Sequence, residues 1–474
     1  MLFNSYTFII FFAVVVAFNY LPLRWNLKKA GLLAASYLFY AAWNPPFVIL
    51  LWISTLVDWI VARRIYEAGS KTARKLFLSI SLAVNLGLLC FFKYAEFLLE
   101  NFTILMHWMH IAYEPARLDI IIPLGISFYT FQTLSYTLDI YRGKGRPWHS
   151  FLDYALYVAF FPQLVAGPIV RAFHFLPQCL KPPKVTGREM AWGLSLFTLG
   201  LFGKIAIADA LLAPVVEAIY DVNGTPDIVS SWCATVAFAG QIFCDFAGYS
   251  TCAIGVAKCL GFKLPDNFNS PYAAIGFSDF WRRWHMSLST WLRDYLYIPL
   301  GGNRKGGLRT QINTMLTMLI GGLWHGASWT FVIWGGLHGL YLLAERLIRK
   351  IAPASLMWSR IPVRMFFSLV TFAFVCVAWV FFRADTFGRA FLMIRAMFGL
   401  GCDPSGLRLA SLDVIITAVV SFAILALHWF MRDHSLEEIA GRTPWWLKSL
   451  VLAGMLIAIV ILSGEDRAFI YFQF

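Results

Sequence analysis

The sequence predicts an all-α polytopic membrane protein, and three observations carry that prediction. Of its 474 residues, 59% are hydrophobic and only 14% are charged. Uncharged apolar segments recur from one end of the chain to the other, many of them long enough for a helix to cross about 30 Å of hydrocarbon. The basic residues behind the net charge of +13 gather in short loops between those segments.

The first segment, 6–23, is followed by further spans and by no small-residue cleavage site. It therefore reads as a retained helix rather than a signal peptide. Others follow at 31–43, 45–61, 76–97, 120–140, 151–166, 191–218, 230–260, 310–323, 326–347, 363–382, 411–430 and 446–463. They imply roughly eleven to thirteen membrane segments, some too short or too broken to cross cleanly. Arg24, Lys28 and Lys29 follow the first span, Arg63, Arg64, Lys71, Arg74 and Lys75 the third, and Arg142, Lys144 and Arg146 the fifth. Such loops belong in the cytoplasm. The charge thus serves topology and lipid headgroups, not nucleic acid. Nothing polar is long enough to be a linker, so residues 1–474 read as one domain. Eight cysteines without a CxxC pair are small hydrophobes, and no zinc ribbon, disulfide framework or other metal site is expected.

Between Met315 and Ala344 there is no charged side chain, yet His325 stands in that run, within Gly321-Gly322-Leu323-Trp324-His325-Gly326. An ionisable side chain there costs free energy unless it is used or satisfied. Gly321, Gly322 and Gly326 interrupt the run, which predicts a broken helix pair with His325 at the joint. Ten helical residues from Met315 span ~15 Å, which would place His325 near the bilayer midplane, beside a cavity. Residues 281–296, read as one helix, place Trp281, Trp284, Leu288, Trp291, Leu292, Tyr295 and Leu296 on one face, with His285 among them. Arg282, Arg283, Ser287, Ser289, Thr290, Arg293 and Asp294 occupy the other, the pattern of an interfacial helix. A histidine in either setting can also simply bond a carbonyl on a neighbouring helix. Asp245, inside the apolar Gln241–Ser250 segment, needs a cation or several donors; a structural salt bridge with one of Arg282, Arg283 or Arg293 is at least as well supported as a catalytic role.

With these residues in view, the chain resembles the membrane-bound O-acyltransferases, in particular the bacterial branch that O-acetylates exported polysaccharides such as alginate. The resemblance is most specific at Phe161–Arg171, Asp245–Gly255, Asp279–Asn303 and Gly321–Gly339, with a further piece at Phe469–Phe474. It implies a bundle of broken and interfacial helices around a central cavity. It also implies a catalytic His325 in the Trp-His-Gly motif, flanked by Trp324, with His285 of the Arg-Arg-Trp-His motif as its companion. Relatives often carry Ser-Asp-Met where this chain has Ser250-Thr251-Cys252.

The resemblance further implies acetyl-CoA as co-substrate, with no bound cofactor, in a multi-pass protein of the bacterial inner membrane. Its partner would be a periplasmic polysaccharide O-acetyltransferase or another protein of an export complex. On this reading His325 is the general base, and His285 either bonds the developing oxyanion or orients the acceptor. In the related teichoic-acid D-alanylation system a small partner with a similar aromatic tail is thought to carry the acyl group on its tyrosine. Tyr471 is by that likeness a candidate acyl relay, the alternative being an aromatic interface anchor. Two other readings stay open: a lipid or teichoic-acid-type acyltransferase, and a non-enzymatic transporter built from broken helices.

Overall fold

The computed structural model describes residues 1–116, 118–351, 360–400, 406–462 and 467–470. Among these, every regular element is helical, apart from one β-bridge between Pro226 and Leu407. Seven helices are long and apolar enough to cross a membrane: Pro45–Glu67, Lys71–Trp108, Gly187–Tyr220, Ile228–Cys259, Trp329–Ile351, Ile361–Arg383 and Ser411–Met431. Tyr6–Tyr20 and Trp445–Ile461 are apolar but shorter. The segments expected at 31–43, 120–140, 151–166 and 310–323 form helices too, at Trp25–Ala41, Ile126–Tyr141, Phe151–Ala159 and Gly307–His325. Large apolar side chains such as Ile10, Ile415, Phe422 and Val460 point outward, as lipid-facing residues do.

The chain divides into two compact units, one of residues 1–194 with 253–265 and the other of 195–252 with 266–474. Neither is a contiguous stretch of chain, so no linker marks a boundary in the sequence.

In the first unit, Ser5, Ser70 and Ser150 each cap a helix by accepting the backbone N–H three residues on, satisfying a donor the helix itself cannot. Helices α1 (Val48–Glu67), α2 (Lys71–Leu89) and α3 (Ile126–Tyr141) pack around a polar interior. Ser81 Oγ and Asn85 Nδ2 donate to the two oxygens of the buried Asp58, at 2.5 and 2.9 Å. Ser54 and Thr133 donate in turn to Asn85 Oδ1, at 2.5 and 3.2 Å. Elsewhere in this unit the buried Lys29 and Asp153 form an ion pair, and Trp148 Nε1 donates to the second Asp153 oxygen at 3.0 Å.

The second unit holds both histidines. Helices α4 (Gly187–Tyr220) and α5 (Ile228–Cys259) meet at Gly200 and Gly248. A Cβ on Gly200 would lie 2.4 Å from the Gly248 carbonyl oxygen, so only glycine permits this approach. The residues Phe202–Leu212 of α4 wind as a π-helix, whose i→i+5 period stacks residues five apart. Lys204 and Asp209 are such a pair, 2.8 Å apart.

One expectation is corrected here and another is refined. Residues 281–296 are not one helix. Helix α6 (Phe277–Trp281) stops, His285 adopts a left-handed backbone with φ 41°, and α7 (Met286–Leu292) restarts after it, followed by a π-helical turn at Arg293–Tyr297. A projection at a constant angle per residue cannot anticipate such a break. The 315–344 run is the helix pair expected, broken directly after His325, but its two helices fold back on each other. Helix α8 (Gly307–His325) begins eight residues before Met315, and α9 (Trp329–Ile351) runs back antiparallel against it. A Cβ on Gly322 would fall 2.2 Å from the Phe331 carbonyl oxygen, and one on Gly335 2.2 Å from that of Met318. The glycines therefore serve the contact between two helices, and His325 ends one of them at the tip of a hairpin. Helix α10 (Ile361–Arg383) packs alongside.

Candidate active site

His325 and His285, forty residues apart in sequence, have ring centroids 6.4 Å apart. Both are buried, His285 completely. Their walls are aromatic. The His325 ring meets Trp334 edge-on at 4.9 Å and Phe382 at 5.4 Å. Trp324 lies 5.0 Å from His325 and 5.9 Å from His285. Phe246 meets His285 edge-on at 4.7 Å. Such walls exclude water and strengthen the remaining electrostatic interactions.

Asn267 orients His285. Its Oδ1 accepts from the Ser287 backbone N–H at 3.3 Å and from Ser287 Oγ at 2.9 Å, while its Nδ2 donates to Ser250 Oγ at 3.1 Å. A backbone N–H can only donate, so the atom it meets is the amide oxygen. His285 Nδ1 lies 3.0 Å from that same oxygen and must donate to it. The ring is therefore held as the Nδ1–H tautomer, with the lone pair on Nε2. Burial disfavours the imidazolium and lowers the pKa of this residue, which lies outside the seven long apolar helices, to about 3. Of the two roles set out for His285, accepting a hydrogen bond fits this tautomer; donating one to an oxyanion does not. The unusual backbone serves the same end. A left-handed non-glycine residue costs of order 1 kcal/mol and persists where surrounding contacts hold it. Here the Met286 N–H bonds the Asn267 carbonyl oxygen at 2.9 Å.

The other expected residues separate into groups. Arg282 and Arg293 line a cavity of about 580 Å³ together with Arg346, Arg349 and Glu345; Met286, next in sequence to His285, lies on its wall. Arg293 also pairs with Asp294 at 2.8 Å. Arg283 is a structural residue: it bonds Asp279 at 3.0 Å and the carbonyls of Asn269 and Arg432, while Arg432 binds the second Asp279 oxygen at 2.8 Å. Hydrogen bonds from the Ile275 backbone N–H and these arginines outweigh burial and hold the Asp279 carboxyl below its usual range. Asp245 binds none of the three arginines expected for it. Lys204 lies 2.7 Å from it instead, because the glycine crossing of α4 and α5 brings the two together. Tyr471 lies outside the described residues. Among the described residues, no cluster of three metal-ligating side chains occurs.

Sequence reasoning missed Asn267, Lys204, Phe246, Trp334 and the two arginines of α9. Lys204 carried a usable signal, a single lysine within the apolar 191–218 segment. Asn267 carried none, since its role depends on a loop folding back onto His285.

This fold defines a class, the multi-pass helical membrane protein, here with a pair of buried histidines in its second unit. The membrane-bound O-acyltransferase family pattern matches residues 144–384, which include both of them. The chain belongs to that family and is an O-acyltransferase. It is similar to the "Probable alginate O-acetylase" of Azotobacter vinelandii, with 39% identity over 437 residues, covering 90% of this chain and 85% of that one. A "Peptidoglycan O-acetyltransferase" of Helicobacter pylori is 38% identical over 438 residues, covering 84% and 80%. A "Teichoic acid D-alanyltransferase" of Bacillus subtilis is 27% identical over 284 residues, covering 56% and 69%.

Proposed function

We propose that this protein transfers an acetyl group from cytoplasmic acetyl-CoA to hydroxyls of an exported glycan, alginate-like or peptidoglycan-like, at the bacterial inner membrane. The histidine pair with its fixed tautomer is the observation that carries the reading. The names of the relatives support the acetyl group and the glycan acceptor, and the cavity supports the donor. Arg282, Arg293, Arg346 and Arg349 suit the phosphates of coenzyme A, since guanidinium forks match phosphate oxygens. Arg349 and Lys350 close α9, and the positive-inside rule assigns that end to the cytoplasm. Thr314, Thr317 and Met318 of the same cavity lie on α8, ~10–16 Å of helix before His325. A donor bound there would point its thioester along the hairpin.

In the proposed step, the acceptor oxygen attacks the thioester carbon and the C–S bond breaks. His325 takes the hydroxyl proton and returns it to the leaving thiolate sulfur. On a glycan acceptor, His285 Nε2 accepts a hydrogen bond from a neighbouring hydroxyl and so orients the attacking one. The immediate acceptor is either the glycan, presented by a periplasmic acetyltransferase partner, or Tyr471, whose phenolic ester would then pass the acetyl group to the glycan and regain its proton. Peptide mass mapping for acetylated Tyr471 separates the two routes.

The deciding experiment measures O-acetyl content of the exopolysaccharide and the peptidoglycan in a deletion strain complemented with wild type or His325→Ala. Loss from one glycan, unrestored by the variant at normal protein level, is the expected result. Full restoration by His325→Ala would overturn the assignment. Unchanged glycans with an altered lipid or teichoic-acid ester would instead move the acceptor to another class.

A further inference from the structure

The segment Arg467–Ile470 enters the interior of the second unit. Phe469 and Ile470 are both buried. The Ile470 backbone N–H donates to Asp245 Oδ2 at 2.7 Å across 225 positions of sequence. Arg467 binds Glu217 at 2.9 Å and the Asp209 carbonyl oxygen at 3.3 Å. The electrostatics explain why the segment docks here. Lys204 lies between two carboxylates, 2.7 Å from Asp245 and 2.8 Å from Asp209. One ammonium against two carboxylates leaves a surplus negative charge in a dry place, which a backbone N–H and a nearby guanidinium relieve.

What the segment touches links it to the chemistry. The Phe469 ring packs 5.7 Å from Phe246 and 4.9 Å from Tyr249. Phe246 in turn forms the edge-on wall of His285. Asp245 and Phe246 are adjacent on α5, so one helical turn grips the segment by its backbone and relays its packing to the histidine.

We propose that the Lys204–Asp245 pair is a docking clamp that makes Arg467–Ile470 a built-in wall of the acyl-transfer site. Asp245 is thereby a positioning residue, acting on His285 through Phe469 and Phe246. The kinetic half of the proposal rests on His285 belonging to the site as set out above; the docking half does not.

Hydrogen exchange read by mass spectrometry on the peptide covering 467–470 tests the docking. Asp245→Asn is expected to speed exchange there by about tenfold or more, with α8 and α9 unchanged; unchanged exchange at 467–470 would overturn the clamp. Kinetics of the same purified variant test the positioning. The kcat is expected to fall about tenfold while the donor KM stays within about twofold, as for a lost alignment rather than lost binding. A double-mutant cycle with Phe469→Ala separates positioning from general damage, because residues acting through one another are non-additive. The double variant is expected to be no slower than Phe469→Ala alone. Fully multiplicative losses would overturn the proposal. If Asp245→Asn does not yield folded protein, Phe469→Ala, which leaves the ion cluster intact, carries the kinetic test: lower kcat at constant KM supports the proposal and full activity sinks it. His285→Ala at full rate would remove the histidine-pair reading and the kinetic half with it, while the exchange result would still decide the docking.

Discussion

Two buried polar sites, one in each unit, are held in different ways. In the first, Asp58 is held by the Ser81 hydroxyl and the Asn85 amide, and Asn85 by Ser54 and Thr133, so a carboxyl is enclosed by hydroxyl and amide groups. In the second, the two histidines stand among Trp324, Trp334, Phe246 and Phe382, and a single amide, Asn267, fixes the tautomer of one of them. A closed network uses its polar atoms on itself and adds rigidity. An aromatic chamber with one orienting bond keeps a ring nitrogen chemically useful. The contrast teaches that buried polar side chains can be set in a hydrogen-bonded network in one unit and among aromatic rings in the other.

The largest effect expected from that contrast is at its chemical end. His325→Ala should lower acetyl transfer by about 10²–10⁴-fold, the usual range for a general base, at normal protein level. Radiolabelled acetyl transfer in membrane vesicles measures it. Asp58→Ala should do the reverse. Ser81 Oγ keeps Thr137 Oγ1 at 3.2 Å and Asn85 Nδ2 keeps the Ser81 carbonyl at 2.9 Å, but one buried Asn85 N–H loses its partner at about 1–3 kcal/mol, so the thermal midpoint and the folded yield drop while the rate per folded molecule holds. A normal midpoint would mean the network of the first unit is not structural after all.

Asn267→Ala tests the orienting bond. Losing one hydrogen bond of about 0.5–1.5 kcal/mol that aligns His285 should slow transfer about 2–10-fold with little change in donor KM. A different kind of test concerns pH. His285 titrates near 3 when folded and near 6.5 when exposed. Between those values the unfolded chain takes up a proton that the folded chain refuses. Stability from this residue is present above pH 6.5 and declines as pH falls toward 3, by at most about 1.4 kcal/mol per pH unit. Thermal midpoints from pH 7 to pH 4 should therefore fall less steeply in His285→Gln than in wild type.

The sequence made the helices legible because apolar runs report membrane spans directly: 363–382 and 411–430 became Ile361–Arg383 and Ser411–Met431. His285 and His325 were legible for the converse reason, as ionisable residues in apolar surroundings. What stayed hidden depends on tertiary approach. The glycines near His325 announced a break, which the structure has, but not that Gly322 and Gly335 seat one helix on another. Asp245 read as a partner for arginines, but the crossing at Gly200 and Gly248 gave it Lys204. Periodicity describes one helix at a time. Contacts between helices, and the left-handed residue at His285, lie beyond it.

The clamp on Arg467–Ile470 also imposes an order of assembly. Lys204, Asp209 and Asp245 enter the membrane with α4 and α5, more than two hundred positions before the segment that completes their hydrogen bonds. During synthesis these three charges must hold one another, or bind water, in a half-built interior. The close glycine crossing that pairs Lys204 with Asp245 suits that interval, because it lets the ion pair form from two consecutive membrane helices alone. Biogenesis would then finish with a latch, and a nascent chain lacking it would be inserted but not yet an enzyme.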